Sequence, residues 1–246
     1  MTGRALRRAV ALVFALGQCI LSYWLIRVRG RVTLEQRALW LHRSARRVLR
    51  AFGIHGRSCG TAPSQGLVVA NHLSYLDITI IAAAMPCFFV SKTEVGRWPY
   101  FGKAARTGGT IFIDRTSRAS TTEVARQIAE RLRLPIPVLL FPEGTSSDGS
   151  QVLRFHSSLF EPAVVAGALI TPAAVRYVLK DGGEERDLCW FGDSLFLPHV
   201  WKVLGTAGFA AEVRFGQPQV YPDRRTAAKA THDEVAAMRG VAAVRS

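Results

Sequence analysis

Two long periodic stretches open the chain, and short apolar runs alternating with polar helical stretches follow. Residues 9–26 carry no charge over 18 positions. As a helix this stretch is about 27 Å long, close to the roughly 30 Å hydrocarbon core of a bilayer. Residues 33–52 predict a second helix. Leu34, Ala38, Leu41, Ala45, Val48 and Phe52 recur at alternating spacings of four and three and draw one apolar stripe. Thr33 and Gln36 stand at capping-box spacing in front of it. Residues 53–65, with their Gly, Ser and Pro, read as a linker. From Gly66 onward the pattern predicts strands at 67–70, 87–90, 110–113, 138–141, 169–175 and 211–215. It predicts helices at 76–84, 121–132, 159–166 and 226–241. Strands alternating with helices predict an α/β domain, with a mixed, largely parallel sheet flanked by helices. An N-terminal hydrophobic helix and a basic amphipathic helix precede it. The boundary falls between a membrane-associating segment, 1–52, and an α/β domain, 53–246.

Charge sharpens the reading of the first segment. The net charge is +14, and residues 1–50 hold eleven Arg against one acidic residue, Glu35, so +10 of it lies there. A basic face on the main domain, the footprint of a nucleic-acid binder, is not expected. Arg4, Arg7 and Arg8 precede the apolar stretch and Arg27, Arg29 and Arg31 follow it. A cleaved signal peptide is disfavoured by those flanks and by the lack of a small-residue cleavage site. A spanning helix, a re-entrant or interfacial helix and an ordinary buried helix remain open. With basic residues on both flanks, the positive-inside rule gives no crossing direction. A basic amphipathic helix directly after it reads as a membrane-surface element, or as a helix packed on the domain with a solvated basic face. Cys19, Cys59, Cys87 and Cys189 are scattered, with no zinc or redox spacing, and are expected as free thiols.

Three polar motifs follow predicted strands, where α/β domains gather their sites. Asn71-His72-Leu73-Ser74-Tyr75-Leu76-Asp77 lies between two apolar runs, with Asn71 or Ser74 as the expected helix cap. An ionised Asp77 can hold one ring nitrogen of His72 and leave the other to take a proton. Gly109-Thr110-Ile111-Phe112-Ile113-Asp114-Arg115 brings an arginine to a strand end, suited to a phosphate or carboxylate. Phe141-Pro142-Glu143-Gly144-Thr145-Ser146-Ser147 supplies a tight turn with exposed N–H groups and hydroxyls, suited to an anionic or polyol head group.

Together the three resemble the signature of the glycerolipid acyltransferases that acylate lysophosphatidate and related lysolipids: N-H-x-x-x-x-D, G-x-x-F-[IV]-D-R and F-P-E-G-T, in the same order. Lys92 and Glu94, then Pro99 and Gly102, are similar to that family's connecting segment, and the stretch 170–175 to its last, Pro-containing strand. The resemblance covers about residues 60–220. It implies that His72 is the general base toward a lysolipid hydroxyl and that Asp77 orients it. It implies direct acyl transfer from acyl-CoA or acyl-carrier protein, with no covalent intermediate, no cofactor and no metal. Asn71, Arg115, Glu143, Gly144 and Thr145 would hold the acceptor, and Lys92 or backbone amides the oxyanion. Phe88, Phe89, Trp98, Tyr100 and Phe101 are candidates for an acyl-chain groove.

The implied reaction is conversion of 1-acyl-glycerol-3-phosphate to phosphatidic acid at the cytoplasmic face of a bacterial inner membrane. One residue departs from the pattern: Ser146 stands where the family often has Arg, which removes a cation from the acceptor site. The third motif, with Phe191-Gly192-Asp193 and Pro198-His199, is similar to a bacterial subset of which some members acylate lyso-ornithine lipid. That acceptor is the alternative. A non-catalytic lipid-binding homologue and a thioesterase are alternatives of other classes. The expected partners are the lysolipid and acyl-thioester substrates, the membrane surface through residues 1–52 and an acyl-carrier protein, with no nucleic acid.

Overall fold

The computed structural model describes residues 2–98, 101–114 and 118–243. The helices α1 (Thr2–Val28) and α2 (Leu34–Phe52) lead into β1 (Ile54–Cys59) and β2 (Leu67–Ala70). Next come α3 (Leu76–Ala84), β3 (Phe88–Lys92), α4 (Phe101–Thr107), β4 (Ile111–Ile113), α5 (Arg118–Leu132) and β5 (Val138–Leu140). Then follow β6 (Gln151–Val152), α6 (Glu161–Val165), β7 (Ile170–Leu179), α7 (Phe196–Gly205), β8 (Phe209–Phe215), α8 (Arg224–Arg239) and β9 (Ala242–Ala243).

Among the described residues, the main sheet has seven strands in the order β1-β8-β7-β2-β5-β3-β4. Its ladders are parallel except between β7 and β8. The C-terminal ends of β2, β3, β4, β5 and β7 therefore share one edge, while β8 and β1 run the other way. Alternate residues of each strand serve opposite layers. Val68 and Ala70 of β2 join Leu139, Val175 and Val213 under α2, α3 and α7. Leu67 and Val69 join Ile111, Val138 and Leu140 against α5, α6 and α8.

The capping box forms as spaced: the Thr33 hydroxyl accepts from the Gln36 N–H at 3.2 Å, and Gln36 Oε1 accepts from the Thr33 N–H at 3.0 Å. The apolar stripe of α2 takes a different place from the membrane-surface reading. Ala45 and Phe52, with Leu49 beside them, are buried in the core against α3, so the helix packs on the domain, the other reading of its pattern. Its exposed side carries Arg43, Arg46 and Arg50. The opposite holds for α1. It packs on α2, where Tyr23 meets Trp40 edge-on and the Trp40 indole N–H donates to the Cys19 carbonyl at 3.0 Å, and leaves Val13, Phe14, Ile20 and Trp24 more than half exposed. An ordinary buried helix is thereby overturned. By length and composition, Gly3–Val28 is sufficient to cross a membrane.

Three differences from the sequence expectation have local causes. β1 occupies the expected linker, because an edge strand with only Ile54 buried has no alternation to read. α7 was not expected, since Pro198 interrupts its pattern; Pro198 sits in the first helical turn, where its missing N–H costs nothing. α4 and the two-residue pair β6 and β9 are too short to register as periodic. All four cysteines are free thiols, three buried and Cys59 exposed.

Candidate active site

His72 leaves the C-terminal end of β2 just before α3 begins. Of the two predicted caps, Asn71 does not reach the helix; Tyr75 occupies the N-cap without a side-chain bond, and the Ser74 hydroxyl accepts from the Leu76 N–H at 3.4 Å. The first-turn carboxylate of Asp77 folds back instead. Its Oδ2 accepts from the Leu73 N–H at 2.6 Å, the Ser74 N–H at 3.0 Å and His72 Nδ1 at 2.8 Å. The Tyr177 hydroxyl, from β7, donates to Oδ1. Asp77 is fully buried, so a carboxylate there depends on these four donors. A carboxylate only accepts, so Nδ1 carries the proton and Nε2 is the free base. The ring stacks on Phe141, with centroids 4.1 Å apart.

The second motif's arginine, Arg115, lies outside the described residues, as do Pro99 and Tyr100. The third motif closes on His72 from β5. Glu143 Oε1 accepts from the His72 backbone N–H at 3.0 Å, and Oε2 from the Leu153 N–H at 3.4 Å. The Ser147 N–H returns to the His72 carbonyl at 2.9 Å. Gly144 sits at φ 72°, a turn that disfavours any other residue. Burial pushes the Glu143 carboxyl up to about 8, aided by the Asp77 charge and opposed by its two N–H donors and Arg239.

A cleft of about 500 Å³ opens at these strand ends. His72, Lys92, Gly144 and Thr145 line it, with an apolar wall from Phe89, Trp98, Leu140 and Leu159. Two expected acceptor contacts lie elsewhere. Asn71 is buried, its amide bridging both backbone groups of Val175 at 2.8 and 3.2 Å, so it ties β2 to β7. Glu143 is buried too and faces backbone, because its oxygens meet N–H groups before they meet the cleft. Ser146 donates to the Trp190 carbonyl. Of the groove candidates, Phe88 is packed beneath the sheet edge with Ala38 and Ile136, and Phe101 rests on Phe196. Among the described lining residues Lys92 is the one lysine or arginine, and Glu94 stands beside it in the wall.

Sequence reasoning missed Tyr177 and Trp190, and gave Phe141, the first residue of the third motif, no role. Tyr177 is 100 positions from Asp77, and no local pattern marks that pair. Trp190 lines the cleft, and its buried indole N–H has no partner.

A family model described as Acyltransferase matches residues 51–176, about half of the chain. A lyso-ornithine lipid O-acyltransferase of Brucella abortus is 35% identical over 209 residues, covering 78% of each chain. The chain belongs to the acyltransferase family. A lyso-ornithine lipid O-acyltransferase of Rhodobacter capsulatus is 40% identical over 173 residues, 67% of this acyltransferase and 62% of that protein's length. A 1-acyl-sn-glycerol-3-phosphate acyltransferase of Neisseria gonorrhoeae is 39% identical over 127 residues, 52% of this chain and 50% of that one. The crystal structure of the acyltransferase PlsC from Thermotoga maritima has the same fold. It has a TM-score of 0.69 at 18% identity and covers 96% of this chain and 93% of its own.

Proposed function

We propose that this acyltransferase moves a fatty acyl group from an acyl thioester to the free hydroxyl of a lysolipid, with His72 as general base. The observation that carries the reading is the His72–Asp77 pair at the head of an apolar cleft. Nε2 takes the hydroxyl proton as the oxygen attacks the thioester carbonyl carbon. The C–S bond then breaks, and the leaving thiolate recovers the proton from the imidazolium. Asp77, held by Tyr177 and two backbone N–H groups, stabilises that imidazolium. Lys92 at the end of β3 is the candidate for the oxyanion charge, and Gly144 and Thr145 for the head group. The one G-x-S-x-G run, Gly56-Arg57-Ser58-Cys59-Gly60, lies in the edge strand β1, with β8 and β7 between it and β2, and not at a strand-to-helix turn beside His72, so it is not the serine elbow of an acyl-enzyme mechanism.

The acceptor that fits best is lyso-ornithine lipid. Its head group carries no phosphate, which suits a cleft whose described wall pairs one cation, Lys92, with one anion, Glu94. The Rhodobacter and Brucella relatives bear that name. Lysophosphatidate is the second reading, favoured by the Neisseria relative. Transfer takes place at the cytoplasmic face of the membrane, with α1 as the anchor and acyl-CoA or acyl-carrier protein as donor. The test offers the purified protein in detergent each labelled donor with lyso-ornithine lipid and lysophosphatidate side by side. Faster diacyl product from lyso-ornithine lipid is expected. A preference for lysophosphatidate selects the second reading. Donor hydrolysis without acceptor acylation defeats both.

A further inference from the structure

α7 leaves three large apolar side chains in water. Leu195, just before it, is 72% exposed, Leu197 is 74% and Trp201 is 47%. Leu197 and Trp201 are four positions apart and share a face. The opposite face is core, through His199 and Val203. At one end α7 is joined to α1. The helices pack together, and Arg8 of α1 donates to the Leu204 and Thr206 carbonyls at 3.1 and 2.8 Å. That sets a cation on the negative end of α7. At the other end Phe196 meets Tyr75, Trp98 and Phe101, with centroids 4.8, 5.3 and 5.4 Å apart. Tyr75 and Trp98 line the His72 cleft. A single short helix therefore connects the long apolar helix to the mouth of the cleft, and its outer face has no partner among the described residues.

We propose that α7 is a second membrane-embedded element. Leu195 and Leu197 enter the acyl-chain region of the bilayer beside α1, Trp201 lies at its head-group boundary, and the lysolipid reaches the cleft past Phe196 and Trp98 without crossing water. The occupant is a bilayer because the patch continues from α1, whose exposed Val10, Val13 and Phe14 are equally apolar. Trp201 suits the level of the lipid head groups, and Lys202, on its flank, pairs with Asp187 at 2.8 Å. The entry route rests on the acyl-transfer reading above; the membrane contact does not.

The experiment uses the full chain with Cys59→Ser, which removes the exposed thiol. A polarity-sensitive fluorophore is attached at Leu197→Cys or, as a control, at Val178→Cys on β7, 49% exposed on the opposite face of the sheet from Tyr177. Vesicles of phosphatidylethanolamine and phosphatidylglycerol carry bromine on their acyl chains. Quenching at 197 and none at 178 is expected. A label at 197 that stays unquenched while the protein is vesicle-bound overturns the contact. So does disulfide cross-linking of Leu197→Cys between two chains in vesicles, which assigns the patch to a second copy. In the second arm, Leu195→Ser with Leu197→Ser and Trp201→Ser is expected to lower kcat/KM about tenfold on vesicle-borne lysolipid, and to leave a water-soluble short-chain lysolipid unaffected. Equal losses on both overturn the entry route. If the parent protein acylates neither, the acyl-transfer reading fails, while the quenching result still decides the membrane contact.

Discussion

Two buried carboxylates flank His72, one from the first turn of α3 and one from the loop after β5, and they are held in opposite ways. Asp77 has donors on both oxygens, four in all, and one of them is the imidazole itself. Glu143 has two backbone donors, one of them long, at 3.4 Å. Exposure is nearly the same, 0% and 4%. What differs is the number of hydrogen bonds that compensate for lost water. Asp77 therefore steers a side chain. Glu143, pushed up to about 8 by burial, holds a backbone and spends much of the neutral range protonated.

The comparison can be broken first at its centre. His72→Ala is expected to lower kcat about 10³- to 10⁴-fold, with vesicle binding retained; turnover near the parent rate ends the general-base reading. Asp77→Asn should cost roughly 10²- to 10³-fold in kcat at little change in KM, since the amide places an N–H or a neutral oxygen against Nδ1. Steady-state kinetics on both variants measure this.

The Glu143 side separates by charge. Glu143→Ala leaves the His72 N–H without its acceptor and should cost about 10- to 100-fold in kcat, with about 1–3 kcal/mol of stability. Glu143→Gln keeps an oxygen there and should stay within several-fold. The pH dependence has a definite sign. Between about pH 4.5 and 8 the native state keeps the Glu143 proton that the unfolded chain has released. The native state binds more protons, so this group's contribution to stability falls as pH rises through that window. Melting curves should show Glu143→Gln gaining on the parent from about pH 5 to about pH 8; a constant difference refutes the buried, protonated carboxyl.

Smaller effects sharpen the same contrast. Tyr177→Phe removes one of Asp77's four donors and should lower stability by about 1–3 kcal/mol and kcat by several-fold, read by denaturant titration and kinetics. Ser146→Arg breaks the bond to Trp190 and adds a cation at the cleft. It should shift the ratio of lysophosphatidate to lyso-ornithine rates several-fold toward the phosphate. An unchanged ratio places acceptor choice elsewhere.

Legibility in the sequence followed distance along the chain. His72 and Asp77 lie five apart, within one strand-to-helix turn, so their pairing could be inferred from spacing. α3 and β2 fell where the apolar runs placed them. Asn71 and Glu143 belonged to the right motifs but were assigned to the substrate, because a motif names residues without saying which way they face. The Asn71 amide meets Val175 of β7, and only the β2–β7 ladder brings those two together.

By itself, then, the sequence determined the α/β class, the long apolar helix, the three strand-end motifs and the family they resemble. Each of these is written in local periodicity or short spacing. Tertiary structure alone decided that Glu143 supports the backbone of His72 instead of facing the cleft. It set Tyr177 on Asp77, turned the stripe of α2 inward and left the faces of α1 and α7 bare. Those outcomes depend on the donors and apolar surfaces that distant segments bring to one place.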